Sequence, residues 1–226
     1  MVAVTHPYLG YLNTPPTSIK LLDEPSEKLA KIDFLQSPDN YQDCRDGWER
    51  FQRSHMERKN YIGKYGFSIY SKETLDALAQ YLKQANGPTL EIFAGSGYLS
   101  DRLAKRGVPV IASDKGSATF EKYKIANVYK RDIECDVFDL NLEEFQTVIM
   151  AWPEMNPNAY LVAQKMQPGQ VLIYVGEEEG GCTATEEFFN EVGTNWERLD
   201  GVEAQFNQHH YSFLSIYDSF FVFRKI

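Results

Sequence analysis

A glutamate, two glycines and an aspartate stand where a ligand can be held. The stretch Glu91-Ile-Phe-Ala-Gly-Ser-Gly97 closes a short apolar run with a carboxylate near its middle. Two glycines follow, separated by one serine, and the chain then takes helical spacing at Tyr98, Leu99, Leu103 and Ala104. A glycine turn costs backbone entropy, so its place between a buried strand and a helix needs a reason. A sharp reversal is the structural reason. A ligand that must touch backbone, with Ala94, Gly95 and Gly97 offering no bulky side chain, is the functional one. Asp114 ends the next apolar run, 19 residues after Gly95. A carboxylate there is placed to accept hydrogen bonds from both hydroxyls of a ribose.

Two cofactor classes share this geometry. The nicotinamide fingerprint wants a third glycine, and Ser100 stands in its place. S-adenosylmethionine has no pyrophosphate and needs no full phosphate cradle. It presents a cationic amino group, two ribose hydroxyls and an adenine edge.

Further along, Trp152-Pro153-Glu154 follows the apolar run Thr147–Ala151, and Glu177 follows the run from Val171. Pro153 would stiffen its turn, and Trp152 would stack on a flat group or fill a core. Glu154 and Glu177 are the candidates to take a proton from an acceptor, against the commoner role of a solvated carboxylate. The adjacent His209 and His210 point to opposite faces of an extended segment and make a poor metal pair. Cys182 reads as a packing residue, Glu177–Glu179 as a solvated loop. Tyr61, Tyr65, Phe67 and Tyr70 are expected to pack on the sheet or lid the cofactor.

The elements that must position these residues follow from periodicity. Residues 40–60 read as a helix with Trp48 and Phe51 on one face. A helix capped by Ser71 carries Leu75, Leu78, Ala79 and Leu82 and stops at Asn86-Gly87. Strands and helices then alternate: "TLEIFA", "YLSDRLAKR" up to Gly107, "VPVIASD", a short helix in "ATFEKYKI", "TVIMAW", "PNAYLVAQKM", "QVLIYVGE" and "TEEFFNEVGTNW". Alternation predicts an α/β fold with a doubly wound, mostly parallel Rossmann-like sheet. The tail, "ERLDGVEAQF" and "YDSFFVFRK", is expected as two extended stretches forming an antiparallel hairpin at one edge. Residues 1–60 are expected as an extension, an irregular proline-punctuated leader and then a helix; residues 61–226 are the main domain.

The string "EIFAGSGYLSDRLAKRGVPVIASD" resembles the first two motifs of the class I S-adenosylmethionine-dependent methyltransferases. Glu91 matches the acid that opens their first motif, Gly95 and Gly97 its glycines, and Asp114 the ribose-binding acid. Phe93 departs from the pattern, since many members carry glycine there. "RDIECD" resembles the third motif, which implies Asp132 on the adenine amino group and Ile133 against the ring, with Asp136 as the alternative acid. "VIMAWPEM" falls where the fourth motif sits, with Glu154 replacing its second proline. "AWPEM", "IYVGEEEGGCTATEEFF" and "YDSFFVFRK" also resemble a little-characterised methyltransferase-like group with a Trp-Pro fourth motif and a Gly-Glu…Gly-Gly-Cys-Thr loop. The resemblance implies methyl transfer from S-adenosylmethionine, with the acceptor meeting the sulfur beside Trp152, Pro153, Glu154 and the 177–183 loop. Both segments are expected to follow strands that neighbour the glycine-turn strand.

Bulk properties bound the alternatives. With 226 residues, 43% hydrophobic and 24% charged, the chain can bury a sizeable core. It has no apolar run of about 18 residues and no basic start followed by an apolar stretch, so neither a membrane span nor a signal peptide is expected. Three dispersed cysteines, Cys44, Cys135 and Cys182, fit free thiols in a reducing cytoplasm. A net charge of −9 gives no global pull toward nucleic acid, although "RSHMERKNYIGK" is locally basic. The other classes in contention are a non-catalytic scaffold that keeps the fold and a nicotinamide oxidoreductase.

Overall fold

The computed structural model describes residues 35–38, 47–116, 121 and 126–226. Cys44, nearly all of the leader and most of the short helix expected at 118–125 lie outside the described residues.

The element order is β1 (Leu35–Gln36), α1 (Trp48–Ile62), α2 (Lys72–Ala85), β2 (Thr89–Ile92), α3 (Tyr98–Ala104), β3 (Val110–Asp114), β4 (Ile133–Glu134) and β5 (Thr147–Ala151). There follow α4 (Asn158–Lys165), β6 (Val171–Gly176), α5 (Glu186–Asn195), β7 (Trp196–Arg198), α6 (Asp200–Asn207), β8 (Ser212–Phe213) and β9 (Ser219–Lys225). The main sheet runs β4-β3-β2-β5-β6-β9-β7. Its pairs from β4 through β6 are parallel, and β9 is antiparallel to both β6 and β7. The chain winds outward from β2 to β4 and then crosses back to lay β5 on the other side of β2. That reversal is the switch point, where a doubly wound sheet opens a crevice at its carboxyl edge.

Strand sequences explain the layers. Alternate residues feed two cores, Ile173, Val175, Phe220 and Val222 on one face, Leu172, Tyr174, Phe221 and Phe223 on the other. Strands covered on both faces read as near-continuous apolar runs, which is what the sequence shows. Helix α2 starts where expected. The Ser71 side chain accepts from the Thr74 N–H at 2.9 Å, and Asn86 closes the helix with a left-handed φ of 50°. Helix α1 carries Trp48 stacked on Phe51 and runs past residue 60, while Leu35 and Tyr61 sit in the same core cluster.

Two expectations are corrected here. The stretch "ERLDGVEAQF" is extended only at Glu197-Arg198, which lie in β7 and pair antiparallel with β9 as expected; from Asp200 to Asn207 it is a helix between β7 and β8. Val202 and Phe206 are four apart, and Phe206 is fully buried edge-on to Tyr81 and Phe220. Gly201 sits in the first turn, where it breaks little. The strand β6 that precedes the 177–183 loop neighbours β5 and β9, not β2. That loop therefore stands one strand further from the glycine turn than expected.

Candidate functional site

A cleft of about 400 Å³ opens at the carboxyl edge of the switch point. Its floor is the glycine turn and the ends of β2, β3 and β5; one wall is the 65–70 segment between α1 and α2.

The turn is built on backbone that only certain residues tolerate. Gly95 and Gly97 take φ values of 53° and 68°, and Phe93 takes 53°. Left-handed backbone is costly for a residue with a Cβ. The departure noted at Phe93 thus occupies a position whose conformation suits glycine. Trp152 is likewise left-handed, at 52°. Two bulky aromatics held in this region both line the cleft, and such strain concentrates at functional sites.

Charged groups are fixed by the turn. Asp114 accepts from Gly95 N–H through one oxygen and from Gly116 N–H through the other, each at 2.9 Å. A carboxylate has about four acceptor positions, so two remain for a ligand. Glu91 is buried at 3% exposure and accepts from Ser100 through both N–H at 3.1 Å and hydroxyl at 2.5 Å. Burial pushes its carboxyl up to about 7, against the bonds from Ser100, and the nearby Asp114 adds to the rise.

The first turn of α3 is occupied internally. Gly97 N–H donates to Ala94, Tyr98 N–H to the Ser96 hydroxyl and Ser100 N–H to Glu91. These are three of the donors that a pyrophosphate at this turn would compete for.

At the other end, Trp152 stacks on Phe67 with ring centroids 5.5 Å apart, and its indole N–H donates to Asp218 at 3.0 Å. The Arg58 guanidinium lies 5.1 Å from the Trp152 ring centroid, with its Nε buried and without a hydrogen-bond partner among the described residues. Burial lowers the Arg58 pKa, and the fields of Asp218, Glu177 and Cys182 oppose that. One indole face is thus taken by Phe67. Glu154, Asn156 and Asn158 form a polar rim, with the Asn156 amide 3.4 Å from Glu154.

Glu91, Ala94, Gly95, Asp114, Trp152 and Glu154 meet on this cleft. Gly97 supports it from behind, facing Lys130. Pro153, Asp132, Ile133 and Glu177 do not line it. Asp132 accepts from Ala112 N–H and pairs with Lys130, both at 2.8 Å, on the side where β4 begins. Asp136 follows β4 and pairs with Lys115 at 2.5 Å. Glu177 is buried and accepts from Cys182 N–H at 2.7 Å and Tyr217 N–H at 3.1 Å, so its carboxylate braces the loop; only Glu178 and Glu179 are solvated. Cys182 is exposed, not packed: its backbone N–H is held by Glu177 while its thiol stands on the surface of the loop. Glu177→Ala is expected to lower stability by about 1–3 kcal/mol in urea unfolding, since two partly buried N–H groups lose their acceptor.

Of the aromatics singled out from sequence, Tyr65, Phe67 and Tyr70 line the cleft and Tyr61 is core. Lys115, Ser68 and Tyr98 had no sequence signal of their own beyond adjacency to the motifs. Asp218 lies in "YDSFFVF", a segment read only as an extended stretch and for its resemblance, with no role given to its acid.

No protein-family model and no curated protein matches the chain. Solved structures do. A magnesium protoporphyrin IX methyltransferase from Synechocystis PCC 6803, with bound S-adenosylmethionine, is 13% identical over 82% of this chain and 86% of its own, with a TM-score of 0.43. Human N-acetylserotonin methyltransferase, also with S-adenosylmethionine, is 13% identical over 80% of this chain and 57% of its own, with a TM-score of 0.44. A tRNA (m1A58) methyltransferase from Aquifex aeolicus is 11% identical over 72% of each chain, with a TM-score of 0.41. By its own strand order and the placement of its glycine turn, the chain has a doubly wound, Rossmann-like α/β fold.

Proposed function

We propose that the chain is a methyltransferase that takes its methyl group from S-adenosylmethionine. The observation that carries this reading is the internal occupation of the first turn of α3 together with the Glu91 carboxylate beneath it. A pyrophosphate would find three of the turn's donors already bonded and a carboxylate facing it. A cationic amino group finds the reverse, an acid ready to pair. The same donor set disfavours the nicotinamide alternative.

Asp114 has two acceptor positions left for ribose hydroxyls. For the adenine edge the reading takes Asp136, at the carboxyl end of β4 beside Lys115, in preference to Asp132 and Ile133. A cleft of about 400 Å³ falls within the range of roughly 300–1,000 Å³ that holds small ligands. An open cleft beside Trp152 also speaks against a scaffold that merely retains the fold.

When bound, S-adenosylmethionine supplies an already activated methyl on a sulfonium. The protein's part is alignment and exclusion of water. The Phe67–Trp152 pair walls the mouth, and Pro153 fixes the turn behind it. Glu154, exposed on the rim with Asn156, is placed to receive the proton an acceptor loses. Glu177 keeps the neighbouring loop in place and is assigned no proton transfer.

Calorimetric titration with S-adenosylhomocysteine and with a nicotinamide dinucleotide tests the reading. The first is expected to bind and the second not. An ammonium group pairs with ionised Glu91, so below pH 7 a proton must leave before binding is complete. Affinity for S-adenosylhomocysteine should therefore rise by about tenfold from pH 6 to pH 8, with proton release on binding. A flat profile removes Glu91 from the ligand contact. Tight dinucleotide binding overturns the proposal.

A further inference from the structure

One buried carboxylate joins two walls of the cleft without lining it. Asp218 begins the approach to β9 and is 1% exposed. Its Oδ2 accepts from the Trp152 indole N–H at 3.0 Å and from the Ser68 hydroxyl at 3.1 Å. Its Oδ1 accepts from Ser212 and faces Nε2 of the fully buried His210 at 3.5 Å. Trp152 and Ser68 both line the cleft, one from the turn after β5 and the other from the segment between α1 and α2. These two segments are 84 residues apart in sequence (152 − 68), and their side chains share a single acceptor oxygen.

We infer that Asp218 is a positioning residue for the acceptor end of this cleft: by accepting from Trp152 and Ser68 on one oxygen it fixes the indole that walls the mouth. This rests on the methyltransferase reading for what the mouth does, but not for the coupling itself. The left-handed Trp152 backbone needs an outside restraint, because such a conformation persists only where its surroundings over-determine it. Three restraints converge on the residue: Trp152 N–H donates to Val175 at 2.7 Å, Phe67 covers one ring face, and Asp218 holds the indole nitrogen. The Phe67 stack also joins the two walls, but only Asp218 ties them by hydrogen bonds, one to each. Among its surroundings, burial works to raise the Asp218 pKa, while His210, Ser212 and Trp152 hold the carboxyl below its usual range. An ionised carboxylate is an acceptor only, which suits two donors on one oxygen.

Indole N–H resonances read this directly, because the chain has three tryptophans. Trp48→Phe and Trp196→Phe assign them. In the wild type, the Trp152 indole N–H should exchange at least about tenfold more slowly than that of half-exposed Trp48, and its resonance should shift when S-adenosylhomocysteine is added. Asp218→Ala should move the resonance, speed its exchange by about tenfold or more and abolish the ligand-induced shift. Asp218→Asn should restore all three, since the amide can offer its oxygen to Trp152 and Ser68 and its NH2 to the Ser212 oxygen. A folded Asp218→Ala protein with an unchanged Trp152 signal overturns the inference, as does an Asn variant as perturbed as Ala. Equal exchange of Trp152 and Trp48 in the wild type overturns it even where Asp218→Ala fails to fold. If S-adenosylhomocysteine shifts nothing in the wild type, the methyltransferase reading fails while the Asp218–Trp152 coupling is still decided by exchange.

Discussion

Asp114→Ala should weaken S-adenosylhomocysteine binding by about 1.5–3 kcal/mol, roughly 10- to 150-fold, with the fold retained. Two effects act together. The ligand's ribose loses a charged acceptor, and the N–H groups of Gly95 and Gly116 lose the carboxylate that holds them. The glycine turn then loosens on the side where the ligand approaches. Asp114→Asn separates the effects, since its single amide oxygen can satisfy one of the two glycines. Calorimetry gives the affinity and a thermal melt reports the fold. An unchanged affinity in the alanine variant takes Asp114 out of the ligand contact.

Gly97→Ala should cost about 3–5 kcal/mol of stability and remove ligand binding with it. A Cβ at this position would sit 1.8 Å from the Lys130 carbonyl oxygen and 2.7 Å from its carbon. Both obstacles are backbone, so no rotamer change relieves them. The residue also has a φ of 68°, which adds a penalty of roughly 1–2 kcal/mol for any residue with a Cβ. The turn or the strand-leading segment at Lys130 must shift, and Ser96, whose carbonyl accepts from Tyr129 N–H at 2.8 Å, moves with it. Gly180→Ala is the control. It has a φ of 88° and nothing within 4 Å of where its Cβ would stand, so it bears the backbone penalty alone. Urea unfolding of the two variants should separate by at least about 2 kcal/mol; equal losses would remove the steric argument at Gly97.

The glycine turn and its acid were legible because they are local. A strand, a Gly-x-Gly reversal and a helix occupy consecutive residues, and the spacing to Asp114 is one βα unit. Periodicity likewise revealed the parallel strands, since burial on both faces leaves apolar runs with no polar alternation. Local pattern misled at "ERLDGVEAQF", where a short helix is held mainly by burial of Phe206 against Tyr81 and Phe220, from α2 and β9.

The cleft's outer half was not legible, for the same physical reason. Trp152, Ser68 and Asp218 come from three distant segments, and nothing in the sequence around any one of them names the others. Glu177 looked like one of three solvated glutamates; its burial depends on Tyr217 and Cys182 being brought to it by β9 and the loop. The sequence by itself determined the doubly wound sheet and the residues of its glycine turn, because those rest on contacts within one strand–turn–helix unit. Only the tertiary structure decided which carboxylates face a ligand and which brace the chain. A carboxylate's role is set by the donors around it, and here those donors arrive from elements far apart in sequence.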